Sequence, residues 1–387
     1  MPKKAFEVMR NITVLQTATF AFIVGIASII LLDKGLDLTT LGFWVMLYSA
    51  SVLLLEVPTG AFADAYGRKK AIIVGFIFQF IFLAGLLLSP NTAILMAVAV
   101  LGAVGDSMLS GSKEAHVVDI LSERGRAGLT HRLLSSGLSW QHSTFIIGSV
   151  IGGYIATFSI DYALLLCMLF AVIGFLYSLG LSEKRKEKDF VTAEKNIFAN
   201  MSRALSQSLK NPALRTIFIL SLLFGLAAFG LFNYWQPVMR EIAGWDTFAM
   251  GLFFSLISIM VIIGSRISPS LEAKWNTVIL VYLGFGVLLF LAGWTPAPLA
   301  VAGFILLWQI LLGINGPIGG TIVNRNTTSE IRATVLSLGA LSTRLGMFLF
   351  GFLIFFIGAD EPRVFWMIGA GFLLLGALLV LFMKPKS

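Results

Sequence analysis

The chain is poor in charge, histidine and cysteine. Asp, Glu, Lys and Arg together make up 12% of its 387 residues, about half the share of a soluble domain. So little charge cannot cover a water-facing surface of this size, which excludes a soluble enzyme, a disordered chain and a nucleic-acid-binding module. The single cysteine, Cys167, excludes an intramolecular disulfide. Three histidines and one cysteine argue against a zinc cage, and no metal site is expected. Walker A, HExxH and CxxC strings are missing, so the sequence calls for no ATP, no cofactor and no catalytic centre.

What is present is apolar. Hydrophobic residues make up 57% of the chain, with 33 Phe and 38 Gly, and the mean hydropathy is +0.90. A spanning helix needs about 20 mostly apolar residues. Twelve stretches qualify: 11–32, 40–63, 71–88, 92–113, 132–157, 162–182, 213–238, 247–267, 277–294, 298–323, 333–358 and 363–383. They are too long and too uniformly apolar for barrel strands, which alternate with period two. The expected fold is an all-α membrane protein of twelve transmembrane helices.

The net charge of +8 is a topology signal. All Lys and Arg except Lys34, Arg240, Arg363 and the span-embedded Arg344 fall on the side of the N-terminus. Basic residues stay cytoplasmic, so both termini are expected inside a cell (inner or plasma) membrane. No signal peptide is evident. The longest hydrophilic stretch, around 183–212, divides the spans into 1–182 and 213–387. Weak echoes recur at an offset of about 205 residues, pairing Gly60 with Gly264 and Arg126-Ala127 with Arg332-Ala333. Repeats flanking a linker point to a transporter with its site between two six-helix bundles.

Ionisable groups inside a span cost about 2.5–3.5 kcal/mol at a helix centre, so those present mark function. Asp106 lies mid-span four, with Ser110 and Lys113 at i+4 and i+7 on the same face. This stripe can face an aqueous cavity, with Asp106 either a proton carrier or a permanent partner of Arg344 or Lys113. Glu56 and His142 are further proton-coupling candidates, with gating or polar packing as the alternatives. Arg344 either balances an acid or clamps an anionic substrate.

The string Pro58-Thr59-Gly60-Ala61-Phe62-Ala63-Asp64-Ala65-Tyr66-Gly67-Arg68-Lys69-Lys70 lies at the inner end of the second span. It resembles motif A of the major facilitator superfamily, and the twelve-span, basic-inside pattern agrees along the whole chain. The resemblance implies a gating latch built from Gly60, Asp64, Gly67, Arg68, Lys69 and Asp119. Glu56–Gly60, Ser110–Ala115 and Arg332–Ser337 resemble a bacterial branch of exporters. The antiporter motif of the fifth span is partly met, with Gly148, Gly152 and Gly153 present, but Thr144 and Ser149 replacing its first Gly and its Pro. Where the family's fourth-span arginine is expected, the chain has Ser107 beside Asp106.

In that family spans one, four, seven and ten line the cavity. Carried over by position, the substrate-binding candidates are Gln16, Phe20, Asn233, Trp235, Gln236, Trp308, Gln309 and Asn315, with Arg344 added from its charge. Tyr234-Trp235 fits an interfacial aromatic belt equally well. Aromatic rings with amides suit an amphipathic organic molecule. The expected function is proton-coupled efflux of such a compound, a drug or metabolite. The alternatives are a uniporter or symporter of a polar or anionic solute, and a sensor or scaffold that does not transport. The expected partners are a small-molecule substrate, protons and the lipid bilayer, with no nucleic acid, and the expected state is a monomer.

Overall fold

The computed structural model describes residues 2–89, 91–122, 129–182, 205–206, 208–327 and 332–383. Most of the linker, Arg126-Ala127 and the side chains of Arg332 and Ala333 lie outside the described residues.

Everything regular that is described is helical. The helices are α1 (Pro2–Ala21), α2 (Ala27–Asp33), α3 (Leu38–Tyr66), α4 (Arg68–Leu88), α5 (Thr92–Ser122), α6 (Thr130–Ala156) and α7 (Ile160–Leu179). They continue as α8 (Pro212–Ala243), α9 (Thr247–Ile267), α10 (Trp275–Trp294), α11 (Pro298–Arg325), α12 (Arg332–Ile357) and α13 (Pro362–Met383). Apolar runs become helices because hydrocarbon offers the backbone no other hydrogen-bond partner.

Local chemistry sets the ends. Pro212, Pro298 and Pro362 each occupy the first position of their helix, where a missing N–H costs nothing. Asn211 caps α8 by accepting from the Ala213 amide at 2.9 Å. Gly244 closes α8 in the left-handed conformation, at φ 63°. Asp37 and Thr40 cap α3 reciprocally: Asp37 Oδ1 accepts from the Thr40 amide at 2.7 Å, and the Thr40 hydroxyl accepts from the Asp37 amide at 2.9 Å.

Two details depart from the sequence reading. Among the described residues eleven segments are long and apolar enough to cross a membrane. The fifth expected span, α6, is a helix of 27 residues, but Gln141-His142-Ser143-Thr144 crowds polar groups into its middle. The first span is also not one helix. It starts at Pro2, passes through a 3-10 turn at Val24–Ile26 and resumes as α2.

The contacts divide the chain into two compact units. The first holds Met1–Gly35, Leu54–Ile197 and Asp246–Ser255. The second holds Leu36–Leu53, Phe198–Trp245 and Leu256–Ser387. In the first, the main pairings are α4 with α5, α1 with α6, α4 with α7 and α1 with α7. In the second they are α10 with α11, α8 with α12, α10 with α13 and α8 with α13. These are the same four pairings moved on by six spans.

Packing is close because small residues let backbones meet. A Cβ on Gly225 would collide with the Thr343 carbonyl, and one on Gly346 with the Leu222 carbonyl, where α8 crosses α12. The outward residues are large and apolar, including Leu299, Phe382 and Phe356, as expected of surfaces solvated by lipid.

The cap at Asp37 generates a pH prediction. The Thr40 amide first, then its hydroxyl, holds the Asp37 carboxyl below the ordinary carboxylate range. A lowered folded value means that the stabilisation is complete above the unfolded carboxylate pKa and disappears as pH falls through the folded one. Asp37→Ala is expected to cost about 1 kcal/mol at neutral pH. Thermal unfolding in detergent should show the gap between wild type and variant closing in acid.

Candidate functional site

The first unit carries a polar ladder inside an apolar helix set. On α5, Asp106 and Ser110 are half-buried and Lys113 is buried. The Lys113 ammonium donates to Gln16 Oε1 on α1 at 2.8 Å. Asp106 and Glu114 act on that ammonium electrostatically. The expected Asp106–Lys113 alternative therefore resolves into a longer-range attraction, with a neutral amide as the direct partner of the cation. Phe20, one turn along α1 from Gln16, is half-buried on the same face.

The Thr59 hydroxyl joins α3 to this ladder. It donates to the Leu55 carbonyl at 2.7 Å and reaches the Ser107 carbonyl at 3.5 Å. Glu56 stands three residues before Thr59, and Asp106 one before Ser107, so both acids lie within a turn of that contact. Glu56 Oε2 is buried with no hydrogen-bond partner among the described residues. His142 lies on α6, which packs against α1, and its Nδ1 likewise has no hydrogen-bond partner among the described residues.

At the α3–α4 turn, Gly67 adopts φ 107°, which a side chain would strain. The turn swings Arg68 back onto Asp64, with Nη2 to Oδ1 at 2.5 Å, and leaves its Nε 4.0 Å from Asp119 Oδ2 on α5. Lys69 donates to the Leu179 carbonyl at 2.7 Å, covering the C-terminal end of α7. Gly60 is half-buried within α3. Of the residues expected to form a latch, Asp64, Gly67, Arg68 and Asp119 thus meet at one corner of α3, α4 and α5, while Lys69 reaches α7 and Gly60 lies one turn before Asp64 on α3.

The glycines of α6 have a clear steric purpose. A Cβ on Gly152 would collide with the Phe22 carbonyl, at the break between α1 and α2. One on Gly153 would come 2.6 Å from the Thr247 carbonyl. Ser149, in the position of the family's proline, is buried, and its carbonyl leaves no room for a Cβ on Gly251 of α9. The Ser255 hydroxyl donates to the Ile146 carbonyl at 2.6 Å and the Thr247 hydroxyl to the Gly153 carbonyl at 3.1 Å. The start of α9 is stitched to α6 by these bonds.

In the second unit the aromatic candidates are buried. Trp308 stacks on Phe224 at 5.6 Å and meets Phe285 at 4.7 Å and Phe232 edge-on at 5.7 Å. Trp235, Gln236 and Gln309 are also buried. Tyr234 is fully buried and donates to the Leu38 carbonyl at 3.0 Å, unlike a ring in an interfacial belt. Asn233 is half-buried and donates to the Phe229 carbonyl at 2.8 Å. Asn315 is half-buried and hydrogen-bonds the Tyr282 phenol, which donates to the Leu220 carbonyl at 3.1 Å. Arg344 is half-buried on α12, with no hydrogen bond or ion pair among the described residues.

Two features escaped the sequence reading. The Gln16–Lys113 bond spans 97 positions, and only the pairing of α1 with α5 reveals it. A cavity of about 540 Å³ lies at the α9–α10 turn and the end of α11, lined by Ser268, Ser270, Glu272, Lys274, Thr321 and Arg325. Its signal was the Ser-Pro-Ser string that interrupts the apolar pattern.

Residues 11–351 match the sequence pattern of the Major Facilitator Superfamily. The chain belongs to this superfamily. It is a multi-pass membrane protein of a transporter family, not an enzyme. The chain is 25% identical over 230 residues to YxaM of Bacillus subtilis (strain 168), an uncharacterized MFS-type transporter, covering 58% of this chain and 56% of YxaM. It is 29% identical to Multidrug resistance protein 2 of the same organism, covering 51% and 48%. With the Quinolone resistance protein NorA of Staphylococcus aureus (strain MRSA252) it shares 25% identity over 59% and 57%. It thus spans about half the length of the curated relatives it matches. Among solved structures, the nucleoside transporter NupG superposes with a TM-score of 0.77 at 15% identity, over 99% of this chain and 100% of NupG. The human organic anion transporter MFSD10 gives a TM-score of 0.65 at 18% identity, over 98% and 99%. These two likenesses establish the major facilitator fold.

Within this superfamily fold, the α6 glycines set a steric prediction. Gly152→Ala is expected to destabilise the protein by about 1–3 kcal/mol, the range for overpacking a dense core. Gly371→Ala on α13, where a Cβ meets nothing within 4 Å, should be neutral or stabilise by up to about 1 kcal/mol. Melting temperatures of the purified variants in one detergent would test the contrast.

Proposed function

We propose that the chain is a secondary active transporter that exports a small amphipathic organic compound in exchange for protons. The observation that carries this reading is the polar ladder of α5 and α3. Asp106 and Glu56 sit half-buried in membrane helices, within a turn of one interhelical contact, and one Glu56 oxygen has no hydrogen-bond partner among the described residues. Each acid is costly in that setting unless its charge is used. A carboxyl that is neutral when buried and ionised when wetted can carry a proton through a cycle. One proton crossing 100 mV releases about 2.3 kcal/mol, enough to bias alternating access. The printed names of Multidrug resistance protein 2 and NorA favour efflux of drug-like compounds.

In this reading residues 1–182 and 213–387 act as two six-helix bundles joined by a cytoplasmic linker, 183–212. Both termini are cytoplasmic and the working unit is a monomer. Gly60, Asp64, Gly67, Arg68, Lys69 and Asp119 latch and release the cytoplasmic side. Gln16, Phe20, Asn233, Trp235, Gln236, Trp308, Gln309 and Asn315 contribute to the substrate path, with His142 as a secondary proton site.

A second reading is uniport or symport of an anionic solute clamped by Arg344, favoured by that arginine's freedom from partners among the described residues. A sensor or scaffold without transport is the third.

Flux of a charge-mixed panel of labelled amphiphiles into proteoliposomes, under an imposed pH gradient, separates these readings. Export coupled to protons predicts a gradient-driven flux that Asp106→Asn reduces to background. A flux indifferent to pH but lost on Arg344→Ala would replace it with the second reading, and no flux of any compound would leave the third.

A further inference from the structure

Lys113 is the one buried Lys or Arg among the described residues. A primary ammonium has three donors. One is used by Gln16 Oε1 at 2.8 Å, and no carboxylate lies within ion-pair distance among the described residues. The nearby acids do not fill this role. Asp106 is seven residues back on the same helix face, about 10 Å along the axis. Glu114 is exposed on the adjoining face. A buried charge whose direct partner is a neutral amide, with the two acids acting only at longer range, is incompletely compensated, since burial removes water that nothing else fully replaces.

The surroundings are rich in donors. One turn from Gln16 on α1, the buried Thr13 hydroxyl has no hydrogen-bond partner among the described residues. On α5 the Ser107 hydroxyl is buried and without a hydrogen-bond partner among the described residues, and Ser110 is half-buried one turn before Lys113. His116, one turn beyond Lys113, is buried. Around them Gln16, Phe20, Ser110 and Asp106 are each half-buried, so the ladder has an open edge. The pattern of one cation, several hydroxyls and an adjacent aromatic ring matches the two ends of an aromatic or aliphatic monoanion.

We propose that Lys113 is an anion-binding residue: the carboxylate or sulfonate of an amphipathic organic anion replaces Gln16 as acceptor of the ammonium, and its apolar body lies along Phe20. The inference rests on the transport reading above and narrows its cargo to organic anions.

The test uses the full chain purified in detergent, with sodium benzoate as the anionic probe and benzamide as its neutral counterpart, at constant ionic strength. Benzoate is expected to raise the melting temperature saturably, and benzamide to leave it unchanged. Lys113→Met should weaken benzoate by about tenfold or more, the scale of one lost charge-assisted bond. Lys113→Arg should retain most of the effect, and the exposed Lys274→Ala all of it. Gln16→Ala, which removes the competing acceptor, should bind benzoate several-fold more tightly. That variant keeps the proposal falsifiable if Lys113→Met fails to fold.

The inference is overturned if benzoate gives no shift beyond that of benzamide, if the shift survives Lys113→Met, or if Gln16→Ala weakens it. It is also overturned if the shift depends on Arg344 instead. Proton-driven flux of neutral or cationic amphiphiles without a benzoate shift would sink this inference alone. A Lys113-dependent benzoate shift with no flux of any compound would keep the anion site and sink the transport reading.

Discussion

Hydrocarbon cannot hydrogen-bond, and the rest of the molecule follows from that. Backbone amides in the slab are satisfied chiefly within their own helix, which turns the apolar stretches into helices and leaves irregular backbone at the turns and at the largely buried break Val24–Ile26. Polar side chains meet the same demand. Thr59, Ser255 and Thr247 spend their hydroxyls on carbonyls, and Tyr282 and Tyr234 reach main-chain oxygens of other helices. With lipid as apolar as leucine, helix association relies on close contact, so the sites where α6 meets α1 and α9 are glycine against backbone.

Against that background, groups whose hydrogen bonding is incomplete stand out. Glu56 Oε2 has no hydrogen-bond partner among the described residues, and Lys113 is held by an amide. Each would be costly as a fixed ornament of a static bundle. Their concentration on α3, α5 and the facing part of α1 makes this the region where water, protons or cargo have most to offer. The aromatic cluster of α8, α10 and α11 holds one such group as well. Trp308 is enclosed by Phe224, Phe232 and Phe285, and its Nε1 is buried with no hydrogen-bond partner among the described residues, although a neutral N–H left unpaired costs less than a charge. The Arg68–Asp64–Asp119 corner is partly exposed, where an ion pair is worth about 1 kcal/mol or less. An interaction that weak can be broken and remade, as the proposed latch requires.

The helices were legible because their signal is the longest and simplest in the sequence: about 20 apolar residues, interrupted by Pro, Gly and charge. The motif around Gly67 was legible too, since a positive φ and an Asp–Arg spacing of four leave a local imprint. The break at Val24–Ile26 was hidden inside an apolar run in which Gly25 is the one local signal; there Gly25 lies against Gly251 and the Phe22 carbonyl against Gly152. The weak hydropathy of α6 was visible in Gln141–Thr144 but was outweighed by the apolar residues that follow. The partner of Lys113 was not legible, because a contact across 97 positions depends on which helices are neighbours. Spacing alone pointed to Asp106 on the same helix.

The central claim is that the ladder of α1 and α5 faces water rather than acyl chains. The chain's one thiol, Cys167, is buried, so a Cys167→Ser background allows single cysteines to report exposure. The direct measurement is labelling of Ser110→Cys in native membranes by a membrane-impermeant maleimide, beside Leu169→Cys, which lies on an exposed apolar face of α7. The account predicts that position 110 reacts from at least one side of the membrane and that position 169 stays unlabelled. Equal silence at both positions, from both sides, would contradict it.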